Sequence, residues 1–389
     1  MTTSKLSDSV SHLNPNSLDK LEPMQTAPSH MKYIDALRGG ACLWVLLHHS
    51  LEHYPVAKGL SHLPLRLLVM LANIGWLGVS LFLVLSGFCL YYPLVRRAET
   101  AAVRLDIKAF ARRRAWRILP PYYAAMAAYL VLYHPPLQMP VKWNDVLMHG
   151  LMLHNLSPAT IATINGPLWS LALESQLYLV FPLLVLLAAR RGLGHMLTAT
   201  FVIAVIWQTA IFFHLGVSHY YSPVLAVWYH ALPGRCFEFA VGMTAAAIAA
   251  RPKPHVVRYA AITICVLVVP AIGYAVFVSR FGPLLDQIWG VLFGCSLVLL
   301  QRVPSWHFQS NVALRALTWV GSISYSLYLT HRLVFYYIHL HGRSDPALVL
   351  WTFARIGLAI AVSYFFFLMF ELPFLSRRSK ITGGASSAA

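Results

Sequence analysis

The chain has 389 residues, 58% of them hydrophobic and 11% charged, with a formal net charge of +17. Soluble domains carry about 25% charged residues. This composition, with a mean hydropathy of +0.62, excludes an ordinary water-soluble globule and predicts a chain solvated mostly by lipid. The basic excess lies in short clusters between long apolar runs, which argues against nucleic acid as a partner.

Residues 1–31 are polar and contain no apolar core or cleavage pattern, so they read as a cytosolic tail and not as a cleaved signal peptide. From there the apolar runs predict an all-α fold, a transmembrane bundle of about ten spanning helices within residues 32–375. In chain order the spans are 36–55, 66–92, 116–134, 167–190, 195–214, 224–249, 257–278, 284–301, 316–340 and 347–374. Residues 376–389 form a second polar tail. With these spans, 22 of the 30 Lys and Arg fall on one side and 5 on the other. The positive-inside rule then places both termini in the cytosol. Residues 135–165 make the longest outer loop, whose apolar stretch from Val146 to Leu156 is too short to span and fits an interfacial or re-entrant segment.

The five cysteines lie in apolar runs without CxxC spacing, which gives no disulfide framework and no zinc site. A P-loop and a GxSxG elbow are both absent. His341 and Asp345 match an HxxxD string, but it falls in an outer loop and is taken as chance.

Ionisable side chains are costly inside a bilayer and need partners or a purpose. The first span holds the densest group. Arg38 and His49 are eleven residues apart, which at about 100° per residue puts them on one helix face, roughly 16 Å apart along the axis. Arg38 then sits at the cytosolic mouth, beside Asp35, and His49 well inside; His48 projects about 100° away. Helices pairing these residues structurally is the plainer reading; a passage with an anion clamp at its mouth and a base at mid-depth is the sharper one. His49, Glu52 and His53 also have a spacing that fits a metal, but no second His/Cys cluster supports it.

In the loop after the second span, eight basic residues run from Arg96 to Arg117. Arg113, Arg114 and Arg117 share a helical flank, and guanidinium forks grip phosphates. Contact with anionic lipid headgroups is the alternative. In the fourth span Ser170, Glu174 and Tyr178 share a face, and Glu174 is placed to orient a histidine. Arg235 and Glu238, at i and i+3, form an internal pair, and Arg332 beside His331 either snorkels or pairs with Glu371.

Six segments, in order, carry a family resemblance: YIDALRG with the span to His49, GWLGVSLFLVLSGF, RRAWRILP, GPLWSLALESQLYLVFP, GRCFEFAVGM and GSISYSLYLTH. The chain resembles the bacterial acyltransferase-3 integral membrane proteins over residues 32–375. The resemblance implies sugar O-acylation, with cytosolic acyl-CoA as a co-substrate, no permanently bound cofactor or metal, and a carbohydrate or glycolipid acceptor. It implies that His49 is essential and that the basic residues near RRAWRILP, here Arg113, Arg114 and Arg117, matter for donor handling. The mechanism expected from the residues themselves adds Glu174 as a catalytic residue that orients His49 or binds sugar hydroxyls, Arg38 with Asp35 at the donor clamp, and Ser86, Trp169, Tyr178 and His331 as substrate-handling candidates. Residence in the bacterial inner membrane follows. The family often carries an appended extracytoplasmic SGNH domain; with none in this sequence, transfer within the membrane domain or with a separate partner domain is expected. A secondary transporter is the rival class, and repeats and interrupted helices would favour it.

Overall fold

The structure is a computed structural model, and it describes residues 31–51, 63–97, 105–132, 142–215, 222–277, 282, 284–338 and 345–375. Apart from Met31, which is buried, both predicted tails lie outside these residues, as do the Glu52 and His53 positions and most of the HxxxD string. Among the described residues every regular element is helical, so the all-α expectation holds. Among the described residues, five helices are long and apolar enough to cross a bilayer: Leu77–Arg97, Gly166–Arg191, Leu193–Leu215, Pro254–Ala275 and Ala347–Leu375. The first of these is mostly buried in the bundle. The last two turn most of their surface outward, with side chains such as Val266, Val269, Leu350 and Phe365 exposed, as lipid contact requires.

Three of the ten predicted spans are not continuous. The run 66–92 breaks at residues 74–76 into α2 (Leu63–Asn73) and α3 (Leu77–Arg97). Its reason lies in α1 (Lys32–Leu51). Carbonyls at a helix end lack their full set of intrahelical partners; the Gly75 N–H donates to the Ala72 carbonyl at 2.9 Å, and α1 supplies further side-chain contacts. Trp44 Nε1 donates to the Leu71 carbonyl at 2.8 Å, and His48 Nδ1 bonds the Ala72 carbonyl at 2.9 Å. Gly75 sits at the break because a Cβ there would strike the Trp44 carbonyl and His48. The run 224–249 breaks into α8 (Pro223–Tyr229) and α9 (Leu232–Ala250), with Pro233 in the first turn of α9. Proline has no N–H to continue the preceding helix. The run 316–340 breaks at Ile323 into α13 (Val312–Ser322) and α14 (Ser324–Tyr337).

Close helix crossings hold the centre. Gly242 of α9 lies against the Val84 carbonyl of α3, and Gly87 of α3 against the Phe239 carbonyl of α9, with no room for a Cβ at either. Small residues at such crossings let backbones approach where apolar burial alone gives little drive between helices in lipid. The remaining long elements are α4 (Ile107–Leu132), α6 (Trp169–Arg191), α7 (Leu193–Leu215), α10 (Pro254–Phe277), α11 (Leu285–Leu300) and α15 (Asp345–Phe366). The chain continues from α15 into a π-helical turn over Phe367–Glu371.

The predicted outer loop folds into a short helix, Trp143–Gly150, and a 3₁₀ turn, His154–Leu156. Trp143, Leu147, Leu151, Leu153 and Leu156 point outward while His149 and His154 are fully buried. That two-sidedness fits the interfacial alternative. The two imidazoles stack at 3.9 Å, and Asp145 lies 3.1 Å from His149 Nδ1. Burial, followed by the neighbouring His149, pushes His154 down to about 3. An unfolded histidine titrates near 6.5, so below that pH the unfolded segment binds more protons than the folded one. Stability of this segment is therefore full above pH 6.5 and falls as pH drops toward 3. Hydrogen exchange of residues 143–165 is expected to accelerate between pH 6.5 and 4 after correction for intrinsic rates. Unchanged protection across that window would contradict the buried neutral pair.

Candidate functional site

The α1, α3, α4, α6 and α14 helices line a cavity that opens to solvent, with about 890 Å³ of empty space when the open solvent at its mouth is counted. Its polar lining is Arg38, Ser86, Cys89, Arg114, Arg117, Ser170, Glu174, Tyr178, Ser324, Tyr325 and Tyr328. Val79, Phe82, Leu83, Leu90, Ile118 and Leu171 supply apolar walls.

Helical spacing explains who enters. Arg114 and Arg117 are i and i+3 on α4, so both face inward. Arg113 is about 100° round from Arg114; it is half-buried and does not line the cavity, so the structure gives two of the three predicted arginines to this site. The Arg114 guanidinium lies over Phe110 at 5.9 Å and over Tyr178 at 5.7 Å. Its Nε has no hydrogen-bond partner among the described residues. Arg38 lies 3.9 Å from Asp35 and 3.5 Å from Cys89 Sγ.

Glu174 sits among these cations. It accepts hydrogen bonds from the Ser86 hydroxyl and the Tyr178 hydroxyl. Sequence reasoning expects this carboxylate to orient His49, and the hydrogen bonds seen go to Ser86 and Tyr178 instead. Three guanidiniums and one carboxylate line the cavity, with Asp35 3.9 Å from Arg38; guanidinium forks beside an apolar wall are able to bind an anionic ligand that has an apolar or extended portion.

The inner end is built by tyrosines. Tyr328 OH is 2.6 Å from Ser170 Oγ and donates to the Pro167 carbonyl; Tyr325 OH donates to the Ile118 carbonyl at 2.8 Å. One turn beyond Tyr328 on α14 is His331, fully buried, with its ring centroid 5.8 Å from that of Tyr328. His331 stacks on His49 at 5.3 Å. His49 is half-buried and turned toward α14. Neither imidazole lines the cavity itself; they stand just past its tyrosine end.

Other predicted residues go elsewhere. Trp169 stacks on His230 at 4.0 Å and is not a lining residue. Glu371 does not take Arg332 as its hydrogen-bond partner; it accepts from Ser326 Oγ at 2.6 Å. The Arg235–Glu238 pair forms, at 2.8 Å, and Asp286 of α11 joins it at 2.7 Å from Arg235. Sequence reasoning missed Tyr325 and Tyr328. The signal was their i, i+3 spacing in SYSLY, which puts two phenols on one face. Among the described residues no cluster of three potential metal-binding side chains occurs.

Apolar helices of spanning length, packed around an arginine-lined internal cavity, define a helical membrane protein. The chain belongs to the family described as the acyltransferase domain, whose model matches residues 31–368. It is 26% identical over 320 residues to the peptidoglycan O-acetyltransferase OatA of Listeria monocytogenes, covering 77% of this chain and 48% of that protein. It is 26% identical over 333 residues to the putative peptidoglycan O-acetyltransferase YrhL of Bacillus subtilis, covering 78% and 48%. A shorter similarity, 31% over 198 residues, joins it to the regulator of hypoxia-inducible factor 1 of Caenorhabditis elegans, covering 45% and 38%. The chain thus spans about half the length of the bacterial relatives named here. No solved structure matches it.

Proposed function

We propose that this chain is a membrane O-acetyltransferase that moves an acetyl group from cytosolic acetyl-CoA to a hydroxyl of a cell-envelope carbohydrate. The observation that carries the proposal is the cavity with Arg38, Arg114 and Arg117 around it and an apolar wall leading inward. Coenzyme A offers phosphates for guanidinium forks and an extended arm for the apolar wall. Family membership favours acyl transfer over transport, although interrupted helices occur here. The names of the bacterial relatives supply the acetyl group and the carbohydrate class.

In this reading the termini face the cytosol, about ten segments cross the bacterial inner membrane, and the arginine end of the cavity opens to the cytosol. Arg38, Arg114 and Arg117 hold the donor phosphates. Glu174, fixed by Ser86 and Tyr178, offsets part of the repulsion among the guanidiniums that line the same cavity. Neutral His49 takes the proton of the acceptor hydroxyl as its oxygen attacks the thioester carbonyl. Imidazole is the side chain most often used for such proton transfer.

The test uses the purified chain in proteoliposomes with radiolabelled acetyl-CoA and peptidoglycan fragments as acceptor. Label is expected on the carbohydrate, and free thiol should appear in equal amount. Arg114→Ala is expected to raise KM for acetyl-CoA about tenfold or more, the scale of one lost charge-assisted contact, with kcat little changed. Transfer that proceeds without a thioester donor, or an Arg114→Ala variant with the original KM, would count against the donor site.

A further inference from the structure

The α4 helix has a second charged flank. Arg114 and Arg117 turn into the cavity, and Lys108, Arg112 and Trp116 do not. These last three stand at i, i+4 and i+8, so they form one stripe along the helix. All three are exposed, Trp116 at 52%. Arg112 and Arg114 are two residues apart, about 200° round the helix, so their guanidiniums leave from opposite sides. Arg113 falls between those sides and is half-buried. Asp106 accepts a hydrogen bond from the Ala109 N–H at 3.0 Å, which caps the start of the helix.

Trp116 shows where this stripe meets the bilayer. Its ring stacks on Phe374, with centroids 5.9 Å apart and planes 23° apart. Phe374 lies in the last turn of the long apolar helix Ala347–Leu375, whose Phe365, Leu368, Met369 and Phe370 are exposed. The lipid-facing surface of that helix thus ends beside Trp116, and tryptophan favours the boundary between acyl chains and headgroups. The far end of α4 carries Val131 and Leu132, both exposed and apolar. In the opposite direction, at 1.5 Å per residue, Arg112 lies about 6 Å and Lys108 about 12 Å beyond Trp116 along the axis. Arg112 therefore falls in the headgroup layer, about 5–7 Å thick on each side, and Lys108 within a Debye length of it, about 8 Å.

We propose that this stripe is a docking site for an anionic phospholipid headgroup: Arg112 and Lys108 hold the phosphate while Trp116 rests at the acyl-chain boundary. A zwitterionic surface would satisfy Trp116 alone; the two cations beside it favour a headgroup of net negative charge. The guanidinium meets phosphate oxygens as a fork, and the ammonium adds a point charge. Because α4 carries Arg114 and Arg117 on its other side, a headgroup held here also fixes the rotation of α4, and with it the reach of both arginines into the cavity. The inference does not depend on what the cavity binds.

The test uses the whole chain in phosphatidylcholine vesicles, with brominated phosphatidylglycerol or brominated phosphatidylcholine added as a quencher. Trp116 emission is taken as the difference between the wild type and Trp116→Phe, a change that keeps a ring against Phe374. Brominated phosphatidylglycerol should quench that emission at a several-fold lower mole fraction than brominated phosphatidylcholine. Combining Lys108→Gln with Arg112→Gln should erase most of this preference, at about fivefold for each basic residue removed. Both positions are exposed, so the fold should stand. Millimolar inorganic phosphate, at constant ionic strength, should leave the preference unchanged. Equal quenching by the two lipids, or a preference that survives the double variant, overturns the inference. Loss of the preference to inorganic phosphate would mark a small-anion site and overturns it too. An emission that neither lipid quenches would put the stripe against a protein partner, with the same consequence.

Discussion

His49→Ala should reduce acetyl transfer by about 10²–10⁴-fold, the usual contribution of a positioned general base, while the protein still inserts and folds. The fold should survive because His49 is only half-buried and truncating a partly exposed side chain is among the milder changes. Its neighbour cannot stand in for it. His48 projects about 100° away on α1 and bonds the Ala72 carbonyl at 2.9 Å, where α2 ends. His48→Ala should therefore show the opposite pattern: lower thermal stability with kcat per folded molecule nearly unchanged. The measurement is acetyl-CoA turnover normalised to correctly folded protein, with thermal unfolding in detergent beside it. If His49→Ala turns over at the wild-type rate, His49 is not the base.

That pair of adjacent histidines also shows what a sequence discloses. Helical periodicity separates His48 from His49 by angle and aligns His49 with Arg38, because helix geometry is local. The same rule puts Arg113, Arg114 and Arg117 on one flank, and Ser170, Glu174 and Tyr178 on another face; the structure brings the second set whole into one cavity, and of the first set Arg114 and Arg117 but not Arg113. The helix breaks were not legible. The run 66–92 is apolar throughout, and its interruption depends on Trp44 and His48 arriving from a different helix to take the Leu71 and Ala72 carbonyls. Hydropathy measures affinity for lipid, not continuity of the hydrogen-bond ladder, so it predicts one span where the chain makes two helices. Glu174 shows the same limit from another side. Pairing it with His49 depends on which helix faces it, which local spacing does not set, and it faces Ser86 of α3.

A local pair can also hide a distant partner. Arg235 and Glu238 satisfy an i, i+3 pattern, so nothing in the sequence asks for a third group. Yet Arg235 reaches Glu238 through Nε at 2.8 Å, Asp286 through one terminal nitrogen at 2.7 Å and Ser80 through the other at 3.1 Å. Arg235 is 1% exposed and both carboxylates are 0% exposed. Gln208 donates to Asp286 as well, at 3.0 Å. One guanidinium thus ties α9 to α3 and α11, using directions that a lysine ammonium cannot cover at once.

Arg235→Met should therefore destabilise the protein by about 3–5 kcal/mol, the cost of leaving buried charge uncompensated. Thermal unfolding in detergent would read this as a large fall in midpoint or as loss of folded protein. Arg235→Lys should fall between the two, since it keeps the charge and loses the fork. Combining Arg235→Met with Glu238→Gln and Asp286→Asn removes the charges together and should recover much of the stability, because replacing a whole buried ion cluster is often near neutral. An Arg235→Met protein as stable as the wild type would contradict this account. The cluster also bears on the cavity. Ser80 and Ser86 lie on the same helix, α3, and the α3–α9 crossing at Gly87 and Gly242 fixes how far that helix reaches toward Glu174. Loosening Arg235 should therefore disturb the Ser86–Glu174 contact although Arg235 itself never meets the donor, so its loss should raise KM for acetyl-CoA even in the fraction that remains folded.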